Sequence, residues 1–101
     1  MRALLLLLLA CGPSIGGIHA RMGYSEESGL RVVDVPPGPA HDAGLQEDDR
    51  IMTIEGTPVR SLSMQEVVEQ LRGPVGSKVS IEVVRDDEIV PLQIERVAYD
   101  R

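Results

Sequence analysis

The chain has no tryptophan and no phenylalanine, and Tyr24 and Tyr99 are the only tyrosines among its 101 residues. Stacking of nucleobases on aromatic side chains is therefore nearly excluded. Lysine is almost missing too: Lys78 is the only one, and the formal net charge is −6. An acidic surface repels phosphate backbones, so no nucleic-acid partner is expected. The single cysteine, Cys11, excludes an internal disulfide framework and a cysteine-ligated zinc site. His19 and His41 lie in unlike contexts without metal-ligand spacing. There is no G-x-S-x-G elbow and no H-E-x-x-H helix, and Lys78 has no nucleophile to serve. The expectation is a non-catalytic chain with no metal and no cofactor. Its length leaves room for one small domain.

One apolar run stands apart from the rest. Arg2 precedes an unbroken stretch from Ala3 to Ala10 that contains six leucines and ends at Cys11. Eight helical residues extend only about 12 Å, too short for a hydrocarbon core of about 30 Å. A basic start, an apolar middle and a small residue at the end make residues 1–11 a signal peptide. Leu8-Leu9-Ala10-Cys11 resembles a bacterial lipobox, in which the cysteine thiol accepts a diacylglycerol and becomes the new N-terminus. A plain export signal, or a missing upstream start, remains the alternative, because the run is short and Leu9 is bulky. The implied location is the bacterial cell envelope, periplasmic or anchored by lipid at Cys11. The membrane would be reached only through that lipid.

Residues 12–17, rich in Gly, Pro and Ser, read as a tether, and 18–98 as the domain. Ile18, Ala20 and Met22 alternate with His19 and Arg21 as in a strand. A polar turn at 25–29 leads to a second strand from Leu30 to Val35, closed by Pro36, Pro37, Gly38 and Pro39. Ala40 to Leu45 makes one helical turn that Gly44 stops in a left-handed position. Ile51 to Ile54 is a short strand and Glu55-Gly56 a turn. Ser61 to Arg72 is the main helix, with Ser63 and Glu66 forming a capping box and Gly73-Pro74 ending it. Val79, Ile81, Val83 and Val90, Leu92, Ile94 alternate on either side of Asp86-Asp87, a hairpin. The tip Asp86-Asp87-Glu88 reads as a solvated turn rather than a calcium loop. The fold class is α+β, a five- to six-stranded partly open barrel or sandwich with one main helix and one short helical turn.

The stretches GPAHDAGL (38–45) and DRIMTIEG (49–56) resemble the PDZ pattern G-S-P-A-x-x-A-G-L-x-x-G-D-x-I-x-x-I-x-G. With the helix at 63–73 and GSKVSI at 76–81, the chain resembles bacterial PDZ domains, most of all those of carboxyl-terminal processing proteases. Ala40 and Ala43 are then small for close packing, and Leu45, Ile51 and Ile54 are core. Asp48 stands where the family has glycine, which implies a strained turn.

The resemblance implies a groove that takes a peptide by strand addition. Gly16, Gly17, Ile18, His19 and Ala20 match the carboxylate-binding loop, aligned G-φ-G-φ as Gly17, Ile18, His19 and Ala20, with His19 in place of the second glycine. Successive amides freed by glycine can face one anion. A protonated His19 would itself pair with a carboxylate. Met22 follows on the edge strand. Met64, Val68, Leu71 and Arg72 share one helical stripe. Met64 and Val68 are implied to face the groove, while Val67 and Leu71 mainly face the core. Met64 cannot donate a hydrogen bond, so an apolar ligand residue two before the C-terminus is favoured, with loose selectivity. Arg72 attracts an acidic group or simply complements the helix dipole. The expected role is a monomeric peptide-binding module for C-termini or extended segments of envelope proteins. The alternatives are a recognition piece of a processing-protease system, with a protease as partner, and a structural component with a closed groove.

Overall fold

The structure, a computed structural model, describes residues 15–98. The expected signal segment and Cys11 lie outside the described residues. Nine strands and two helices follow in the order β1 (Ile15–Gly17), β2 (Arg21–Ser25), β3 (Gly29–Asp34), α1 (Pro39–Ala43), β4 (Arg50–Ile54) and β5 (Thr57–Pro58). A 3₁₀ turn (Val59–Ser61) then leads to α2 (Met64–Leu71), β6 (Gly73–Pro74), β7 (Lys78–Arg85), β8 (Glu88–Glu95) and β9 (Val97–Ala98). A six-stranded sheet runs β2-β3-β4-β7-β8, with β5 on β4. A three-stranded sheet runs β6-β1-β9. Both stay open rather than closing into a barrel. The strand count exceeds expectation because three of the ladders involve strands of two residues.

Local chemistry sets the tight connections. Asp86 and Asp87 have φ of 52° and 66°, and Glu55 and Gly56 have 51° and 81°. Positive φ at both central residues is what a two-residue hairpin needs to match strand twist. The first pair joins β7 to β8, which stay in register from Lys78 opposite Glu95 to Arg85 opposite Glu88. Within β8, Pro91 lies opposite Glu82. Gly44 ends α1 with φ of 101°, its N–H donating to the carbonyl of His41.

Leu30, Val32, Ile54, Val79, Ile81, Val83 and Ile94 are almost fully buried, as are Leu45, Ile51 and Val67. With no large aromatics, aliphatic side chains of similar size fill the space between the main sheet and the helices. Ala40 has no exposed surface, so α1 lies close to the sheet.

Two expectations need correction. The tether does not extend to residue 17: Ile15–Gly17 is strand β1, paired with β6 and β9. Nor do Ile18, Ala20 and Met22 share a strand. The chain leaves the small sheet at Gly17, turns at His19 with φ of 60°, and enters the large sheet at Arg21. The alternation of Ile18, Ala20 and Met22 is real, but it comes from a loop and a strand that turn side chains into one cleft.

Candidate functional site: a cleft between an edge strand and a helix

A cleft of about 240 Å³ opens between the β1–β2 connection, β2 and α2, lined by Ile18, His19, Ala20, Met22, Val67, Val68, Leu71 and Arg72. One wall is an edge. Among the described residues β2 has a strand partner on one side only, β3. An unpaired edge presents a row of backbone donors and acceptors. Met22 lies opposite the buried Val32, so its side chain shares the sheet's inner face. A register shift between Arg21 and Met22 bends the strand where it enters the sheet.

The end of the cleft is the turn at Ile18 to Ala20. Ile18 is 4% exposed and anchors it from below. Its carbonyl accepts a hydrogen bond from the Ala40 N–H at 3.2 Å, which ties the turn to the start of α1. His19 holds the left-handed backbone at the position where the resembling loop has glycine. Its Nε2 lies 3.2 Å from the Ala98 carbonyl, and with the hydrogen on Nε2 the ring donates there. Gly38 lies against the same imidazole.

The helix wall is held at both ends. At its start, Ser63 Oγ accepts from the Glu66 N–H at 3.1 Å, and Glu66 Oε1 accepts from the Ser63 N–H at 2.8 Å. This is the expected capping box. Each turn then divides its apolar residues, with Val67 buried in the core and Val68 37% exposed toward the cleft. At its end, Arg96 donates from Nη2 to the Gln70 carbonyl at 2.8 Å and from Nε to the Leu71 carbonyl at 3.2 Å. Arg96 also donates to Ser77 Oγ and the Lys78 carbonyl. A cation on the last carbonyls satisfies orphan acceptors and complements the helix dipole. Arg96 lies against Gly73, where a side chain would collide with the guanidinium.

Seven of the residues expected in the groove line this cleft, and three do not. Gly16 and Gly17 are buried in β1. A side chain at Gly16 would strike the backbone carbonyl of Val97, so this glycine serves strand packing in the small sheet. Met64 is 48% exposed on the first turn of α2, outside the cleft's lining. Sequence reasoning missed the lining role of Val67, which its core role hides. It also missed Arg96, whose partners lie about 25 residues away in the chain. Asp48, as expected, turns with a positive φ, of 75°. Among the described residues no group of three or more His, Cys, Asp or Glu is placed to hold a metal ion. No helix among them is long and apolar enough to cross a membrane.

The architecture matches known proteins. The family model of the PDZ domain matches residues 31–85. A carboxyl-terminal-processing protease of Synechocystis sp. is 32% identical over 79 residues, which cover 76% of this chain and 18% of the protease. The serine endoprotease DegS of Escherichia coli is 34% identical over 91 residues, 87% of this chain and 25% of that one. The chain thus spans a quarter or less of these curated relatives. A crystal structure of the PDZ domain of a carboxy-terminal protease from Vibrio cholerae, in complex with peptide, superposes with a TM-score of 0.73 at 28% identity. It covers 86% of this chain and 98% of that domain. The motif at 38–56, the open sheet with its free β2 edge beside α2, and the matched family model agree: the chain belongs to the PDZ domain family.

Proposed function

We propose that this chain is a non-catalytic capture module that takes C-termini or exposed extended segments of other proteins by adding them as a strand to β2. The open cleft between the β2 edge and α2 carries this reading. A guest strand can pair its backbone with β2 while its alternate side chains enter the cleft. In this reading the amides of Ile18 to Ala20 cradle the carboxylate, and Met22, Val68 and Leu71, which line the cleft, take the terminal side chain. His19 and Arg72 bring positive charge to that end when His19 is protonated. Met64 stands one turn further along α2, where it meets a residue upstream of the terminus. One added strand and a shallow pocket favour affinity in the micromolar range.

The relatives favour a second reading, in which the module recognises substrate for a carboxyl-terminal processing protease. Both readings use the same cleft. For residues 1–11 the proposal is export to the cell envelope, with a lipid on Cys11.

The test is a fluorescence-anisotropy comparison of peptides with free and amidated C-termini on the chain. Free carboxylates should bind at least about tenfold tighter, the scale of one charge-assisted contact. Equal affinities overturn carboxylate capture, and no binding by any peptide of a diverse library leaves the structural component. Mass spectrometry of the native N-terminus decides the anchor. An unmodified Cys11, or cleavage elsewhere, ends that part of the proposal.

A further inference from the structure

A second and larger cavity, about 590 Å³, lies along the same edge strand. Its floor includes Leu30, 1% exposed, and Val59, 8% exposed. Its outer wall is Tyr24 of β2, 59% exposed. Tyr24 lies opposite Leu30 as Met22 lies opposite Val32, so both point to the sheet's inner face. One row of side chains thus leads from the first cleft into this cavity. The 3₁₀ turn that forms its far side directly precedes α2, so the cavity sits beyond the helix N-terminus, while the first cleft sits beside its C-terminal half.

Direction follows from the strand. A guest antiparallel to β2, with its carboxylate at Ile18 to Ala20, runs its upstream residues toward Ser25. At about 3.4 Å per residue, the part lying over Tyr24 is roughly four to six residues before the guest's end. Charge at the rim is selective as well. Arg60 lines the cavity beside Val59, and Glu26 is the acid among the lining residues described, in a chain of net charge −6; Arg50, opposite Arg31, lies on the outer face of the sheet. Among the described residues Arg60 is not engaged in an ion pair.

We infer that this cavity is a second side-chain subsite, which takes an apolar residue with an acidic neighbour roughly four to six positions before the C-terminus of the captured chain. The inference rests on the strand-addition reading and extends it from a terminal tag to a two-point signature. An apolar side chain is buried on the Leu30 and Val59 floor against the Tyr24 ring, and the acidic neighbour meets Arg60.

The experiment uses the whole chain and three peptides with the same free C-terminus, read by anisotropy. One has about four residues, one about ten with Leu-Glu at the upstream position, and one about ten with Gly-Lys there. The Leu-Glu peptide should bind about tenfold tighter than the short one, as burial of one apolar side chain requires. The Gly-Lys peptide should gain little. In Tyr24→Ser and Arg60→Glu the advantage should shrink severalfold while the short peptide binds as before. Both positions are exposed, so neither change disturbs the core. Equal binding of short and long peptides overturns the subsite and leaves strand addition standing. So does an advantage that survives both substitutions. If the short peptide itself fails to bind, strand addition fails and the subsite falls with it.

Discussion

Asp49 and Arg85, 36 residues apart in the chain, meet side by side: Arg85 Nε donates to Asp49 Oδ1 at 2.8 Å and Nη2 to Oδ2 at 2.7 Å. Asp49 is 2% exposed, the one charged group in the core among the described residues. Its Oδ2 also accepts from the Gln46 N–H at 2.9 Å, and Arg85 Nη2 reaches the Gly44 carbonyl at 2.9 Å. The aspartate of the PDZ motif therefore clamps the α1–β4 connection to the end of β7. A buried pair of this kind is compensated only while both partners are present.

Asp49→Ala takes the carboxylate from a guanidinium that is itself 26% exposed and removes the Gln46 contact. Loss of these charge-assisted hydrogen bonds costs about 3 kcal/mol. For a domain of this size that is a fall in Tm of more than about 12 °C. Calorimetry reads it directly, and a fall of only about 2 °C would show that the clamp is dispensable.

The hydrogen bond that Arg85 donates to Asp49, aided by the charge of Asp49, raises the Arg85 pKa above its ordinary value. A raised pKa means that the folded state holds the proton more tightly than the unfolded one. The resulting stability is fully present below the unfolded value and is lost only as pH rises through the folded one. That window lies beyond the range of ordinary buffers. The difference in Tm between the wild type and Arg85→Met should therefore be the same at about pH 7 and about pH 10. A difference that shrinks by half between them contradicts the assignment.

Gly16→Ala puts a methyl group into the Val97 carbonyl. The β1–β9 ladder must shift or break, at about 1–3 kcal/mol for an overpacked site. Hydrogen exchange should rise selectively in β1 and β9. Wild-type protection there would mean that the two strands have room to part.

Val68→Glu keeps the helix, since glutamate is a good helix former and the position is partly exposed. It places a carboxylate in the cleft that should receive one. Binding of C-terminal peptides should fall by more than about a hundredfold, with circular dichroism unchanged. Retained binding would move the guest to another face.

Arg96→Met keeps the side-chain stem and removes the donors to Gln70, Leu71, Ser77 and Lys78. Loss of the helix-end contacts should cost about 1–2 kcal/mol. If the cation positions the wall, the C-terminal turn of α2 loses exchange protection and peptide affinity drops severalfold. Arg96→Lys should restore part of both. Destabilisation with unchanged affinity assigns Arg96 to stability alone.

Much of this architecture is legible in the chain because its signals are local. Ser63 and Glu66 are three residues apart, Asp86-Asp87 is a turn within one hairpin, and Gly44 stops α1 from the adjacent position. The first cleft is legible for a different reason. The pattern at 38–56 brings the PDZ resemblance, and with it the expectation that Ile18, Ala20, Met22 and Val68 converge. The hidden features depend on distant partners. Nothing next to Gly16 announces that Val97 will press against it, and Arg85 and Arg96 look like any exposed arginine on an alternating strand. The chain's turn at His19 is masked too, because alternation at Ile18, Ala20 and Met22 reads alike for a strand and for a cleft-lining loop.

Pro91 limits how many chains the sheet can recruit. It sits in the middle of β8, the opposite border of the sheet from β2, and has no N–H to offer an incoming chain. At the β2 border a guest added as proposed would have α2 on its far flank, which would block the next arrival. On the proposed strand-addition reading, growth by successive recruitment would be opposed at both borders and uptake would stop at one guest per domain, without the open-ended polymer that two bare borders would permit.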